Sequence, residues 1–152
     1  RYKEPVYVAC AIGSATIRKR IVEEISEFEM VRFPNLIDPS VQMSDFVQLG
    51  KGNIICAGTV LTVNIRIEDF CIINLDCTIG HDNILDSFVT IYPSVNISGS
   101  VHIGKCSELG TGTQVIQGIK IKEDSIIGAG SVVVKDLEKS GTYVGVPVKK
   151  IK

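Results

Sequence analysis

An aliphatic residue recurs at every sixth position from Ile37 to Val133, seventeen rungs without a break. About a third of the chain is Ile, Val, Leu or Met, so chance fills such a ladder on the order of once in 10^8, and a fixed short period marks a repeat architecture. Two places before nearly every rung the residue is small or β-branched, as at Thr59, Cys71, Asn83, Val101 and Ser131. Just after the rung stands a turn former at Gly50, Asn74, Gly80, Asp86, Gly104, Gly110 and Gly128. Each hexapeptide therefore reads as a short strand showing two residues inward, followed by a bend whose backbone angles favour Gly, Asn or Asp. Three hexapeptides close a triangular coil of about eighteen residues, and coils stack as parallel strands about 4.8 Å apart, so about 5.7 coils make a prism roughly 27 Å tall.

Residues 6–12 (VYVACAI) read as a buried strand, Gly13-Ser14 as a turn, and 16–28 as a helix with Ile17, Ile21, Ile25 and Phe28 on its apolar face. A short strand is expected at 30–33. This βαβ-like piece is too small to cover both faces of a parallel sheet and reads as the back half of a domain. With Arg1 in place of an initiator Met, it suggests a fragment of a longer protein. Residues 34–40, with Pro34 and Pro39, form the boundary. The expected domains are thus 1–36, a partial α/β piece; 37–136, the repeat; and 137–152, a C-terminal extension with Lys149, Lys150 and Lys152. The Gly-Ser turn before a helix is also a place where free backbone N–H groups could receive an anion.

A net charge of -1 gives no electrostatic footprint for nucleic acid or an anionic membrane. No run of about 18 apolar residues is present to span a bilayer. Five cysteines without a CxxC, at aliphatic-compatible places, predict buried thiols in a reducing, cytoplasmic setting.

Phase against the ladder separates the two histidines. His102 directly precedes the rung Ile103 and reads as an outward, solvated residue. His81 lies two places past Ile79, where side chains leave a corner of the prism; Asp82 follows it, and one coil further stands Gly99. Acyl transfer from a thioester needs a base for the acceptor's proton and a donor for the developing oxyanion. An imidazole oriented by a carboxylate meets the first need, and a bare backbone N–H meets the second.

Residues 73–74 (IN), 77–82 (CTIGHD), 87–93 (SFVTIYP), 98–104 (SGSVHIG), 116–118 (IQG), 127–133 (IGAGSVV) and 144–147 (VGVP) resemble the hexapeptide-repeat acyltransferases. The match falls in the branch holding sialic-acid O-acetyltransferases and N-acetyltransferases of nucleotide-linked 4-amino sugars, and it covers about residues 5–152. The resemblance implies an all-β fold, a left-handed parallel β-helix carrying a small, partial Rossmann-like N-terminal piece. That coil hand departs from the right-handed crossover rule, and periodicity does not reveal it. The resemblance further implies acetyl-CoA as co-substrate, His81 as base, Asp82 as the neighbour raising its basicity, and the Gly99 N–H as oxyanion donor. Thr90, Thr111 and Ala129 match acetyl-CoA positions and Gly13 a sugar-nucleotide contact; Thr90 departs from the family's frequent His, and Val148 replaces a common Ala. A homotrimer and a sugar or nucleotide-sugar substrate are implied, with no metal. The expected reaction is N-acetylation of a nucleotide-linked amino sugar; O-acetylation of sialic acid or another sugar hydroxyl is the alternative.

Two other classes use this fold. A metal-dependent hydratase needs three histidine ligands, and the two histidines, 21 residues apart, do not stack. An ice-binding surface needs a regular Thr array, whereas outward positions here mix Lys, Glu, Asn and Gln.

Overall fold

The computed structural model describes residues 4–152; residues 1–3, including Arg1 and the start of the N-terminal piece, lie outside the described residues. Seventeen short strands run from Leu36–Ile37 to Val132–Val133 and form three parallel sheets, with partners eighteen residues apart, as in Ile73↔Ile91 and Ile91↔Leu109. The rungs point inward in three stacks. The first face carries the strands at Ile72–Ile73 and Thr90–Ile91, the second those at Thr78–Ile79 and Asn96–Ile97, and the third those at Ile84–Leu85 and His102–Ile103. Corners one, two and three follow those faces in turn. From Ile55 to Val133 every rung is buried, because each packs on its equivalents one coil above and below. Ile37 and Met43 are exposed, since no coil lies beneath them.

The bend is not where the turn formers suggested. Positive φ falls on the third residue after the rung, at Gly52, Gly58, Asn64, Phe70, Asp76, Asp82, Phe88 and onward. The glycines one place after the rung are needed for close approach instead: a Cβ on Gly110 would sit 2.7 Å from the Ala129 nitrogen in the next coil. Phe70 and Phe88 bear a positive φ that costs about 1–3 kcal/mol each for such residues. They offset it by stacking at 5.2 Å beneath the N-terminal piece, with Phe33 edge-on to Phe70 at 5.0 Å.

That piece consists of β1 (Val6–Tyr7), α1 (Ala15–Ser26) and β2 (Val31–Arg32), the two strands pairing in parallel. The expected strand over 6–12 is regular only at its start, and the helix ends two residues earlier than its apolar pattern suggested. Its buried face is also different: α1 buries Ala15, Arg18 and Val22, while Ile17 and Phe28 are exposed. Arg18, 1% exposed, is the joint between helix and prism. Its guanidinium donates to the carbonyls of Ile12, Gly13, Phe70, Phe88 and Val89 and to Thr90 Oγ1. Among the described residues no carboxylate forms an ion pair with it. Burial lowers its pKa, and this full set of acceptors is what makes a buried cation tolerable.

At the other end the six-residue period stops after Val133 but the coil does not. Leu137 bridges to Ile121, Gly141–Val144 pairs in parallel with Ser125–Ile127, and Lys149–Lys150 returns antiparallel. Leu137, Tyr143 and Val148 thereby close the core. All five cysteines are free; burial pushes Cys71 up to about 12 and Cys77 up to about 11.

Candidate active site

The run Gly80-His81-Asp82-Asn83 forms corner two of one coil. Asp82 takes the positive-φ place, which a short acidic side chain tolerates. From there its carboxylate meets the preceding imidazole: His81 Nδ1 lies 2.7 Å from Asp82 Oδ2. An ionised carboxylate only accepts, so Nδ1 carries the proton and Nε2 keeps its lone pair. Asn64 Nδ2, one coil below, donates to the other Asp82 oxygen. The hydrogen bond from His81 first, and that from Asn64 second, hold the Asp82 carboxyl below its ordinary value.

Above the imidazole lies Gly99. A Cβ there would collide with Nε2 and would come within 2.8 Å of Cδ2. The Gly99 N–H donates to no group among the described residues, while its neighbour Ser100 N–H bonds to the His81 carbonyl at 2.7 Å. The structure thus brings His81, Asp82 and Gly99 together as eighteen-residue stacking demands.

The remaining expected site residues lie elsewhere on the chain. Thr111 and Ala129 are exposed on successive coils of corner one, joined by the Gly130 N–H to the Thr111 carbonyl at 2.8 Å. Gly13 lies at the joint, where its carbonyl accepts from Thr90 Oγ1 at 2.7 Å and a Cβ would sit 3.3 Å from the Tyr92 hydroxyl. Thr90 is corrected by its surroundings: 1% exposed and bonded to both Gly13 and Arg18, it offers acetyl-CoA no accessible hydroxyl. The anion-receiving turn is also modified, because the first free N–H of α1, at Ala15, is taken by Glu108 Oε1 at 2.8 Å. The other oxygen of Glu108 accepts from the Tyr92 hydroxyl at 3.1 Å.

His102 is only half-exposed, and its Nε2 lies 3.0 Å from Asp86 Oδ1, a partner that sequence phase did not suggest. Among the described residues no three His, Cys, Asp or Glu side chains group to hold a metal, and no helix is long and apolar enough to cross a membrane.

No family model matches the chain. Solved structures do. A mutant of perosamine N-acetyltransferase from Caulobacter crescentus, with CoA and GDP-perosamine, superposes with a TM-score of 0.92 at 33% identity, over 96% of this chain and 69% of that one. The acetyltransferase domain of PglB from Neisseria gonorrhoeae, also solved with acetyl coenzyme A, superposes with a TM-score of 0.89 at 33% identity, over 93% of this chain and 68% of that one. The chain belongs to the hexapeptide-repeat acetyltransferases. Its prism is accordingly the left-handed parallel β-helix of that family. Serine acetyltransferase from Mycobacterium tuberculosis is 33% identical to this chain over 114 residues, and the chain spans 47% of that enzyme's length.

Proposed function

We propose that the chain transfers an acetyl group from acetyl-CoA to the amine of a nucleotide-linked amino sugar, with His81 as general base. The observation that carries the reading is the His81 ring, tied at Nδ1 to Asp82 and lying with Nε2 against Gly99. As the acceptor nitrogen bonds to the thioester carbonyl carbon, Nε2 takes its proton and the Gly99 N–H donates to the forming oxyanion. When the carbon–sulfur bond breaks, the imidazolium returns that proton to the departing thiolate. The amine acceptor is supported by the likeness to perosamine N-acetyltransferase, a mutant of which was solved with CoA and GDP-perosamine.

Thr111 and Ala129 stand on corner one and His81 on corner two, so one prism supplies one wall of a groove. A second copy sets its corner one against the first copy's corner two, and threefold closure makes a homotrimer. Leu75, Val63, Ile116 and Val134, exposed apolar residues flanking the second face, suit that contact. In this reading Gly13 and the rest of 1–36 hold the nucleotide sugar, 37–136 performs transfer and 137–152 closes the prism. The free thiols suit a reducing, cytoplasmic setting.

The test is release of CoA thiol from acetyl-CoA with UDP- or GDP-linked 4-amino sugars and, in parallel, with sialic acid. Transfer to the amines and not to sialic acid is expected; the reverse pattern overturns the amine assignment. Sedimentation as a monomer at assay concentration overturns the shared groove.

A further inference from the structure

We propose that Asn83 is a positioning residue for the oxyanion donor, an inference that rests on the roles given above to His81 and Gly99. Asn83 is fully buried inside the prism, directly beneath the corner that bears both. Its carboxamide is saturated with backbone partners. Nδ2 donates to the Gly80 carbonyl at 2.7 Å and to the Ser98 carbonyl at 2.9 Å, and Oδ1 accepts from the Val101 N–H at 2.8 Å.

The Ser98 carbonyl belongs to the same peptide unit as the Gly99 N–H. A trans peptide sends its C=O and N–H to opposite sides. Drawing the Ser98 carbonyl inward to Asn83 therefore turns the Gly99 N–H outward, toward the space beside His81 Nε2. A hydrogen bond to the carbonyl also polarises the peptide and strengthens its N–H as a donor. Gly80 adds confinement, since a Cβ there would lie 2.7 Å from the Ser98 carbonyl carbon and 2.8 Å from the Gly99 nitrogen.

Inward polar residues hold corner carbonyls elsewhere in the prism, as Thr113 does for Gly110 and Gly128. What separates Asn83 is its own stack. At corner two the equivalent places in the other coils are Val47, Ile65, Val101 and Ile119. That corner folds repeatedly around an aliphatic residue, and a polar one appears only in the coil with His81 below Gly99. The requirement it meets is the site's, not the coil's.

The test uses three substitutions that neighbouring coils already accommodate. Asn83→Val copies Val101 and cannot donate; Asn83→Thr has nearly the same shape and can donate as Thr113 does; Asn83→Cys donates weakly, as Cys71 and Cys77 do to corner carbonyls. A misaimed donor should cost part of the 10²–10³ seen when one is removed, so Asn83→Val should lower kcat by about tenfold to a hundredfold with both KM values held within about twofold. Activity should rise in the order Val, Cys, Thr. The Gly99 amide proton resonance should move upfield in the Val variant and return in the Thr variant. Equal kcat in the Thr and Val variants, or a loss confined to KM, overturns the proposal; if the Val variant does not fold, equal kcat in Thr and Cys does so. Should His81→Ala be inactive while the Asn83 series is flat, this inference alone falls; should His81→Ala stay active, the reading beneath it falls.

Discussion

His81 and His102 stand on the same prism, and each meets an aspartate. Nδ1 of His81 lies 2.7 Å from Asp82, and Nε2 of His102 lies 3.0 Å from Asp86. Both pairs are partly solvated. The difference lies in the backbone around them. His81 leaves a corner, and the residue one coil above is Gly99, which has no side chain to fill the space over the ring. His102 sits within a strand on the third face, in register with Ile84 below and Lys120 above. Its pair uses the other ring nitrogen, and a long cationic side chain stands where His81 has a bare peptide. A histidine–carboxylate pair is therefore not enough to mark a base; an open donor beside the free nitrogen is what separates the two.

The contrast breaks most directly at the histidines themselves. His81→Ala should lower kcat for acetyl transfer by about 10²–10⁴, the usual contribution of a general base, with unchanged circular dichroism. The same assay on His102→Ala should stay within about twofold. Comparable losses in the two variants would erase the distinction.

Next in size is Gly99→Ala. Its methyl group meets the His81 ring, so base and donor are displaced together, and kcat should fall by about 10²–10³. Substituting Lys120, the equivalent residue above His102, with Ala should leave kcat within about twofold.

The aspartates give a smaller split. Asp82→Asn frees the imidazole to take the wrong tautomer and should cost about tenfold in kcat, near 1.4 kcal/mol. Asp86→Asn should change it little.

The smallest effect concerns pH. Because the Asp82 carboxyl is lowered, the hydrogen bonds it accepts from His81 and Asn64 are at full strength above the ordinary carboxylate value and weaken only as pH falls through the lowered one. Asn64→Leu removes the second of its two hydrogen bonds, so its titration, followed by carboxyl 13C shift, should move upward by less than in His81→Ala, which removes the first. An unchanged midpoint in both would show that neither bond acts on Asp82.

Whatever repeats was legible in the sequence. The rungs, the three faces, the eighteen-residue register and the meeting of His81 with Gly99 all follow from one period, since each coil meets the same neighbours. The dihedral need at the third residue after the rung was hidden, because Phe70 and Phe88 occupy it without looking like turn formers. The joint between α1 and the prism was hidden for another reason. Arg18 reads as the polar side of an amphipathic helix, and only contacts 52 to 72 residues away make it the buried side. Ala15 and Glu108 meet across 93 residues, with no period to announce it. Thr90, matched to an acetyl-CoA position by resemblance, is covered by the part of the chain that has no phase.

The eighteen-residue register has a consequence for how such chains can vary. Inserting one whole coil between Gly99 and Thr111 would lengthen the distance from base to acetyl-CoA wall while leaving each residue on its own corner. An insertion of a single hexapeptide would instead turn everything downstream by a third of a revolution, carrying Thr111 and Ala129 from corner one to corner two. Tolerated length changes in this lineage should therefore come in eighteens wherever they fall between paired functional corners, and in sixes only beyond the last of them.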